Sequence, residues 1–477
     1  IIAYWSVPLL LALTPPGFTL TQAVRMDGTV MLVTLGIAAV TGLLFGLAPA
    51  LSLSRYDVAE AFKDDGARTT AGRGAGLLRR ALVIGEVVLC TVLLIGAGLL
   101  IQTFVRLRAV DPGFDPRGVL RARMAMQGDR YASPQDLNRF YEDGLERIRR
   151  IPGVRSAAVV NGLPIARALN LNVDILDWPE EEGAERVQDA LIDWRYATTD
   201  YFETMGIPVV AGRGFSAADR AGAPPVAVVS EEFARRFFQG TSALGRHVRV
   251  FDQDGALRIV GIVKDLKEGG LKGETIPVMY VPVAQTHAAA IKTTHSYFQV
   301  NWVVRADSAG AVLARRIEEE IRALDPRQPF SSFATMSEVK ESAMAAERFQ
   351  MTLLGAFAGI GLLLAAAGIY GLIAYSVAQR RREFGIRIAL GATGDRILRD
   401  VVRSGAMLSL IGVALGCLAA FALSRTIEGF VWGVSTLDPL TFGAVAALLV
   451  AVAAVASFVP ALRAVRLNGV SALLNRG

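Results

Sequence analysis

Five stretches of this chain are long and apolar enough to cross a lipid bilayer: residues 29–51, 81–104, 351–377, 402–424 and 440–460. Crossing the hydrocarbon core takes about 20 mainly apolar residues, wound as a helix so that every backbone polar group is satisfied within the segment. A buried core helix would account for one such run but not for five. The opening "IIAYWSVPLLLALTPP" has no Met and no charged leader, so residues 1–13 read as the end of a sixth span whose beginning is missing. Cys90 and Cys417 both fall inside apolar runs, where a thiol packs as a small hydrophobe and no disulfide framework is expected.

Lys and Arg in the short loops set the expected orientation. The 378–403 loop carries Arg380, Arg381, Arg382, Arg387, Arg396, Arg399 and Arg403, and the 52–80 link and the tail beyond Ala461 are also basic. All three are expected on the cytoplasmic side. The 425–439 loop holds only Arg425 and faces outward, and alternation then puts residues 105–350 outside. Glu86 lies inside the 81–104 run, where a charge at mid-bilayer costs about 2.5–3.5 kcal/mol. Near the end of the span it is expected to pair with Arg79 or Arg80.

The outer segment has similar ends. Residues 119–126 read as a strand, 134–150 as a helix and 154–160 as a strand; 297–306, 309–324 and 329–335 repeat that order. Two such units form a split βαβ module of ferredoxin-like type. Between them, at about 165–295, short strands such as "PPVAVVS", "LRIVGIV" and "IPVMYVPV" and a helix N-capped by Ser230 imply an inserted α+β subdomain. The flanks 99–110 and 337–350 contain neither Pro nor Gly and are expected to extend the two neighbouring spans as a helical stalk.

The segment ending at Gly66 overlays on the C-terminus when 411 is added to its numbering. Asp27 then meets Asp438, Pro49 meets Pro460, Arg55 meets Arg466, and "PALSLSR" matches "PALRAVR". This register implies two copies of one membrane module.

Enzyme chemistry has no positive signal. The sequence holds no G-x-x-x-x-G-K-[ST], H-E-x-x-H, C-x-x-C or G-x-S-x-G pattern, and His247, His287 and His295 lack metal-ligand spacing. No cofactor and no nucleic-acid partner are expected.

The segments "RRALVIGEVVLCTVLLIGAGLLIQTF", "DPGFDPRGVL", "YFETMGIPVVAGRGFSAADRAGAPPVAVVSEEFARRFF" and, most distinctively, "RRREFGIRIALGA" resemble the MacB/FtsX type of ABC-transporter permease, in its duplicated, acidobacterial-type orphan branch. The resemblance implies an α-helical membrane bundle plus an α+β periplasmic domain, in the order one span, large ectodomain, three spans. Residues 1–66 would end a first permease copy whose N-terminal half is missing, and 67–80 would be a cytoplasmic linker. A first span at 81–104, a periplasmic core domain at 105–350 and an FtsX-like domain at 351–477 would follow. It implies a multi-pass protein of the bacterial inner membrane and a coupling helix at about 381–393 that docks on an ABC ATPase in trans, where ATP would bind. The docking residues would be Arg381, Arg382, Glu383, Phe384, Gly385, Ile386, Arg387, Ile388, Leu390 and Gly391. On a helix Phe384 and Ile388 lie four apart, as do Ile386 and Leu390, and the arginines can meet lipid headgroups or acidic partner residues. The implied work is export or extraction of a substrate, with a periplasmic adaptor and a homodimer or internal pseudo-dimer. The alternative is an FtsX-like regulator or scaffold of an extracytoplasmic partner.

Overall fold

The structure, a computed structural model, describes residues 28–39, 68–126, 129–166, 169–177, 190–238, 241–250, 255–390 and 392–465. It divides into a core domain, Leu107–Met344, and a helical unit formed by the described residues before and after it. The matched residues Asp27, Pro49, Arg55, Gly66, Arg466 and Gly477 of the repeat, and most of the 1–13 and 29–51 runs, lie outside the described residues.

In chain order, the helical unit begins with α1 (Gly28–Ala39) and α2 (Arg68–Arg108). Helix α2 runs through residues 68–80 into the first span without a break.

The core domain opens with β1 (Val119–Met124), α3 (Pro134–Arg149) and β2 (Val154–Val160). Ser133 accepts from the Asp136 amide and Pro134 takes the first helical position, so α3 starts where sequence rules place it. Then come β3 (Leu169–Ile175), β4 (Ala190–Ala197), α4 (Tyr201–Met205), β5 (Val209–Gly212) and β6 (Val226–Ser230). They lead to α5 (Glu231–Phe237), β7 (His247–Val250), β8 (Leu257–Val263), β9 (Val278–Pro282) and α6 (Ala288–Tyr297). The domain closes with β10 (Val300–Ala306), α7 (Ala311–Leu324), β11 (Phe330–Thr335) and α8 (Met336–Ser342).

Strands β11, β1, β10 and β2 lie in that order, all antiparallel, and α3 and α7 link the two sequential pairs. This is the ferredoxin-like split βαβ arrangement. Trp302 on β10 anchors it: the ring stands edge-on to Phe140 (5.9 Å), Tyr141 (5.5 Å) and Phe330 (6.2 Å). Gly144 sits mid-helix in α3 because a Cβ there would strike Trp302 and Ile321.

Strands of the inserted region close on themselves. The pairings run β4–β3–β7–β8–β6–β9 and return to β4, with β6–β8 and β4–β9 parallel. The sheet passes from β2 into this ring at one ladder pair, Val160 with Ala197. Two side chains reinforce the crossing: Asn161 Oδ1 accepts from the Tyr196 amide (3.0 Å) and Thr198 Oγ1 from the Val159 amide (2.9 Å). One apolar cluster runs through both parts, so the ring shares a core with the ferredoxin-like half. Ser230 caps α5, accepting from the Phe233 amide.

Returning to the helical unit, the chain forms α9 (Ala345–Gln379), α10 (Arg381–Ala389), α11 (Gly394–Ile427) and α12 (Pro439–Val465). Among the described residues four helices, Arg79–Arg108, Ala345–Gln379, Gly394–Phe430 and Pro439–Arg463, are long and apolar enough to span a membrane. The expected unbroken helix over 337–350 is corrected: α8 ends at Ser342, with Ala343 as its C-cap, and α9 begins at Ala345. A Thr335–Glu338 capping box starts α8, and burial of Met336 and Met344 fixes the segment between two turns that local sequence does not separate.

Small residues on α11 set the bundle. A Cβ at Gly412 would strike Val87 of α2, one at Gly416 would strike Thr91, and one at Gly405 would strike Ser457 of α12. Such notches let helices approach where lipid supplies no hydrophobic drive between them. Polar contacts hold the far end of α2: Gln102 Nε2 donates to Asp438 Oδ2 (2.9 Å) and Thr441 Oγ1 (2.6 Å), and the Trp432 amide donates to Thr103 Oγ1 (3.2 Å).

Candidate functional site: the basic turn between two spans

Helix α9 ends at Gln379, and after one intervening residue α10 runs for nine residues to Ala389. Backbone bonding continues through the junction: the Arg380 amide donates to the Ser376 carbonyl (3.1 Å) and the Phe384 amide to the Arg380 carbonyl (3.0 Å). The Leu390 amide reaches Ile386 O (3.0 Å), the Ala392 amide reaches Arg387 O (2.9 Å), and α11 then starts behind Thr393.

Four of the charged side chains in this turn pair with one another. Arg380 grips Glu383 with two parallel bonds, Nε to Oε2 (2.7 Å) and Nη2 to Oε1 (2.8 Å). Glu383 Oε1 also pairs with Arg387 Nη2 (2.6 Å), and Arg387 Nη1 lies 3.8 Å from Asp400 Oδ2. The Arg380 hydrogen bonds hold the Glu383 carboxyl below the usual carboxylate range. Arg380 and Arg387 are thereby committed inside the protein rather than free to meet an acidic partner. The side chains of Arg381 and Arg382, and Gly391, lie outside the described residues.

The apolar residues divide between two faces. Phe384 is 1% exposed and packs in the bundle core under the Arg380 guanidinium (5.1 Å to the ring centroid). Gly385 is buried beside it and Ile388 packs against the same cluster. Ile386 and Leu390 are 56% and 82% exposed. The expectation that Phe384 and Ile388 offer an apolar edge to a partner is therefore corrected: they anchor α10 to the bundle, and Ile386 and Leu390 form the free edge. Residues two apart on a helix point to nearly opposite sides, so alternating apolar residues cannot share one face.

Glu86 also departs from expectation. It packs against Gly368 of α9, and among the described residues no ion pair joins it to Arg79 or Arg80. Arg79 instead stacks over the Tyr375 ring at 4.1 Å, and the Tyr375 hydroxyl accepts from Gln379 Nε2 (2.7 Å). Sequence spacing could give the Arg380–Glu383–Arg387 chain; Asp400 and Tyr375 enter only through the fold.

A family model described as the MacB-like periplasmic core domain matches residues 81–324, just over half of the 477. The chain belongs to the MacB/FtsX-type ABC-transporter permeases. A second model, the FtsX-like permease C-terminal domain, matches residues 355–469 and takes in the basic turn. This permease is a multi-pass inner-membrane protein with a periplasmic core domain. It is 28% identical over 218 residues to an uncharacterized ABC transporter permease, YknZ, of Bacillus subtilis (strain 168), covering 45% of this chain and 53% of that protein. It is 30% identical over 274 residues to a pyoverdine export ATP-binding/permease protein, PvdT, of Pseudomonas entomophila (strain L48), covering 56% of this chain and 40% of that protein. The chain thus spans about half the length, or less, of the curated relatives it matches. The solved periplasmic region of MacB from Actinobacillus actinomycetemcomitans is similar at 15% identity and a TM-score of 0.32, covering 48% of this chain and 94% of that one. The fold assignment rests on the family models and the strand order.

Proposed function

We propose that this permease relays ATP-driven motion of a separate ABC ATPase to its periplasmic domain, with α10 as the docking helix. The observation that supports this most is the exposed pair Ile386 and Leu390 on a short helix anchored by buried Phe384. Anchoring from behind lets force on the exposed face pass into α9 and α11, which α10 connects. ATP binds on the separate subunit. The spans sit in lipid, and the work is done on the periplasmic side, with or without an adaptor. Relatives named for macrolide and pyoverdine export support export as its direction.

The domain division of this reading makes residues 1–66 the end of a first permease copy and 67–80 a linker. The second copy then has its first span at 81–104, a core domain at 105–350 with an insertion at about 165–295, and three spans in 351–477. In support, Asp27, Pro49 and Arg55 meet Asp438, Pro460 and Arg466 at a single offset of 411 residues. Two copies in one chain would supply the pair of docking helices that a homodimer otherwise provides.

The test is affinity purification of the full-length protein from its native membrane, with ATPase assays on the eluate. A co-purifying ATPase whose activity responds to Ile386→Asp and Leu390→Asp supports the reading. A folded, membrane-inserted protein that brings down no ATPase sinks it in favour of an FtsX-like regulator.

A further inference from the structure

The segment leading from α2 into the core domain, residues 109–118, is held at its far end by α4 and β10, through Asp115, Arg117 and Gly118, and at its near end by a short strap, residues 264–268, that follows β8. Lys264 Nζ binds Asp111 Oδ2 at 2.8 Å, and the Lys267 amide donates to the Pro112 carbonyl at 3.1 Å. Gly113 has a φ of +87°, and a Cβ there would run into the Asp265 carbonyl and Leu266, so the two segments touch backbone to backbone. The far side of the strap reaches the floor of the strand ring. Glu268 pairs with Arg195 of β4, both fully buried. The Lys267 carbonyl accepts from the Ile165 amide at 2.7 Å, holding Ile165 at a φ of +69°. A β-branched residue in the left-handed region is strained, and such conformations persist only where surrounding contacts impose them.

We infer that the strap 264–268 passes displacement of the lead-in segment to β4 and to the Ile165 turn, so that the strand ring responds when α2 moves. The inference rests on the proposed function for the origin of the motion, and on the contacts above for its route. Lys264 is a positioning residue at the receiving end of the strap and Glu268 is one at the delivering end. The rest of the strap is fixed as well: the Asp265 carboxylate accepts from the Glu232 amide at 2.6 Å and Leu266 is buried.

The test is hydrogen exchange on the full chain in lipid nanodiscs, comparing wild type with Asp111→Asn and Lys264→Met. Both replaced side chains are substantially exposed, so folding is not at stake. Freeing the lead-in segment is expected to accelerate exchange about fivefold in peptides covering 110–118, and also in those covering 163–166 and 190–198. Glu268→Gln is expected to accelerate 190–198 alone, and adding Asp111→Asn to it should not change 190–198 further. Acceleration confined to 110–118, or absent everywhere, overturns the inference. Equal acceleration in β1 and β10 also overturns it, because the response would then be global. No ATPase takes part, so the strap and the docking helix fail separately.

Discussion

Gly412 of α11 lies flush against Val87 of α2, with no room for a Cβ between them. The contact recurs one turn on, at Gly416 against Thr91, and makes α11 the helix on which α2 is seated. Gly412→Ala forces the helices apart and is expected to cost about 1–3 kcal/mol of bundle stability, the usual penalty for overpacking. Gly359 of α9 has open space where a Cβ would go, so Gly359→Ala should be neutral or slightly stabilising. Denaturant titration of the detergent-solubilised protein separates the two.

The two faces of α10 give opposite phenotypes. Phe384→Ala empties a packed site and should destabilise the helical unit by about 3–5 kcal/mol. Ile386→Asp and Leu390→Asp alter exposed positions and should shift stability by less than about 0.5 kcal/mol while uncoupling the partner ATPase. Melting curves beside ATPase assays check both. Stable protein from Phe384→Ala would show that the ring does not anchor α10.

Glu383→Gln removes the carboxylate between Arg380 and Arg387. Both cations are about half exposed, so the stability loss should stay under about 1 kcal/mol. The larger effect is a freed positive charge at the turn. Binding to anionic vesicles should strengthen relative to wild type and fall back as salt is raised.

His295 sets a pH signature for the core domain. Its Nε2 lies 2.8 Å from the Tyr196 hydroxyl, and burial lowers the imidazole from 6.5 to about 4. The unfolded chain takes up the proton first, so this contribution is intact above pH 6.5 and is lost as pH falls toward 4. Burial also lifts the Glu268 carboxyl to about 7, with the opposite sign: that contribution is full below 4.5 and is lost as pH rises through 7. The two windows overlap, so wild type alone will show a muted slope. The difference between wild type and His295→Gln isolates the histidine. Between pH 7 and pH 5 it should change by about 2 kcal/mol, read by chemical denaturation.

The spans and the four ferredoxin-like strands are legible in the sequence because each follows from a local pattern: unbroken apolar length, or short apolar runs flanking an amphipathic helix. Ser230 as a cap is equally local. Closure of the strand ring is not, since the parallel β4–β9 pairing joins residues 193–197 with 278–282 and leaves no mark in either strand. The orientation of α10 was hidden for another reason. Phe384, Ile386, Ile388 and Leu390 alternate, so half of them face each way, and only the neighbouring helices decide which half is buried. The break at Ala343 and Met344 likewise comes from tertiary burial overriding a helix-compatible stretch.

Strand β10 lies between β1 and β2, yet it is made last of the three, 140 residues after Val160 (300 − 160). While the chain is being exported, β1 and β2 must wait with an empty slot between them until the whole strand ring has emerged. Two unpaired edges and the apolar bed of Trp302 stay open to water for that interval, which makes this half the place where a stalled or mutated chain would aggregate. Lesions in the ring can therefore act during biogenesis, by delaying arrival of the strand that seals the domain, without touching any surface the finished permease uses.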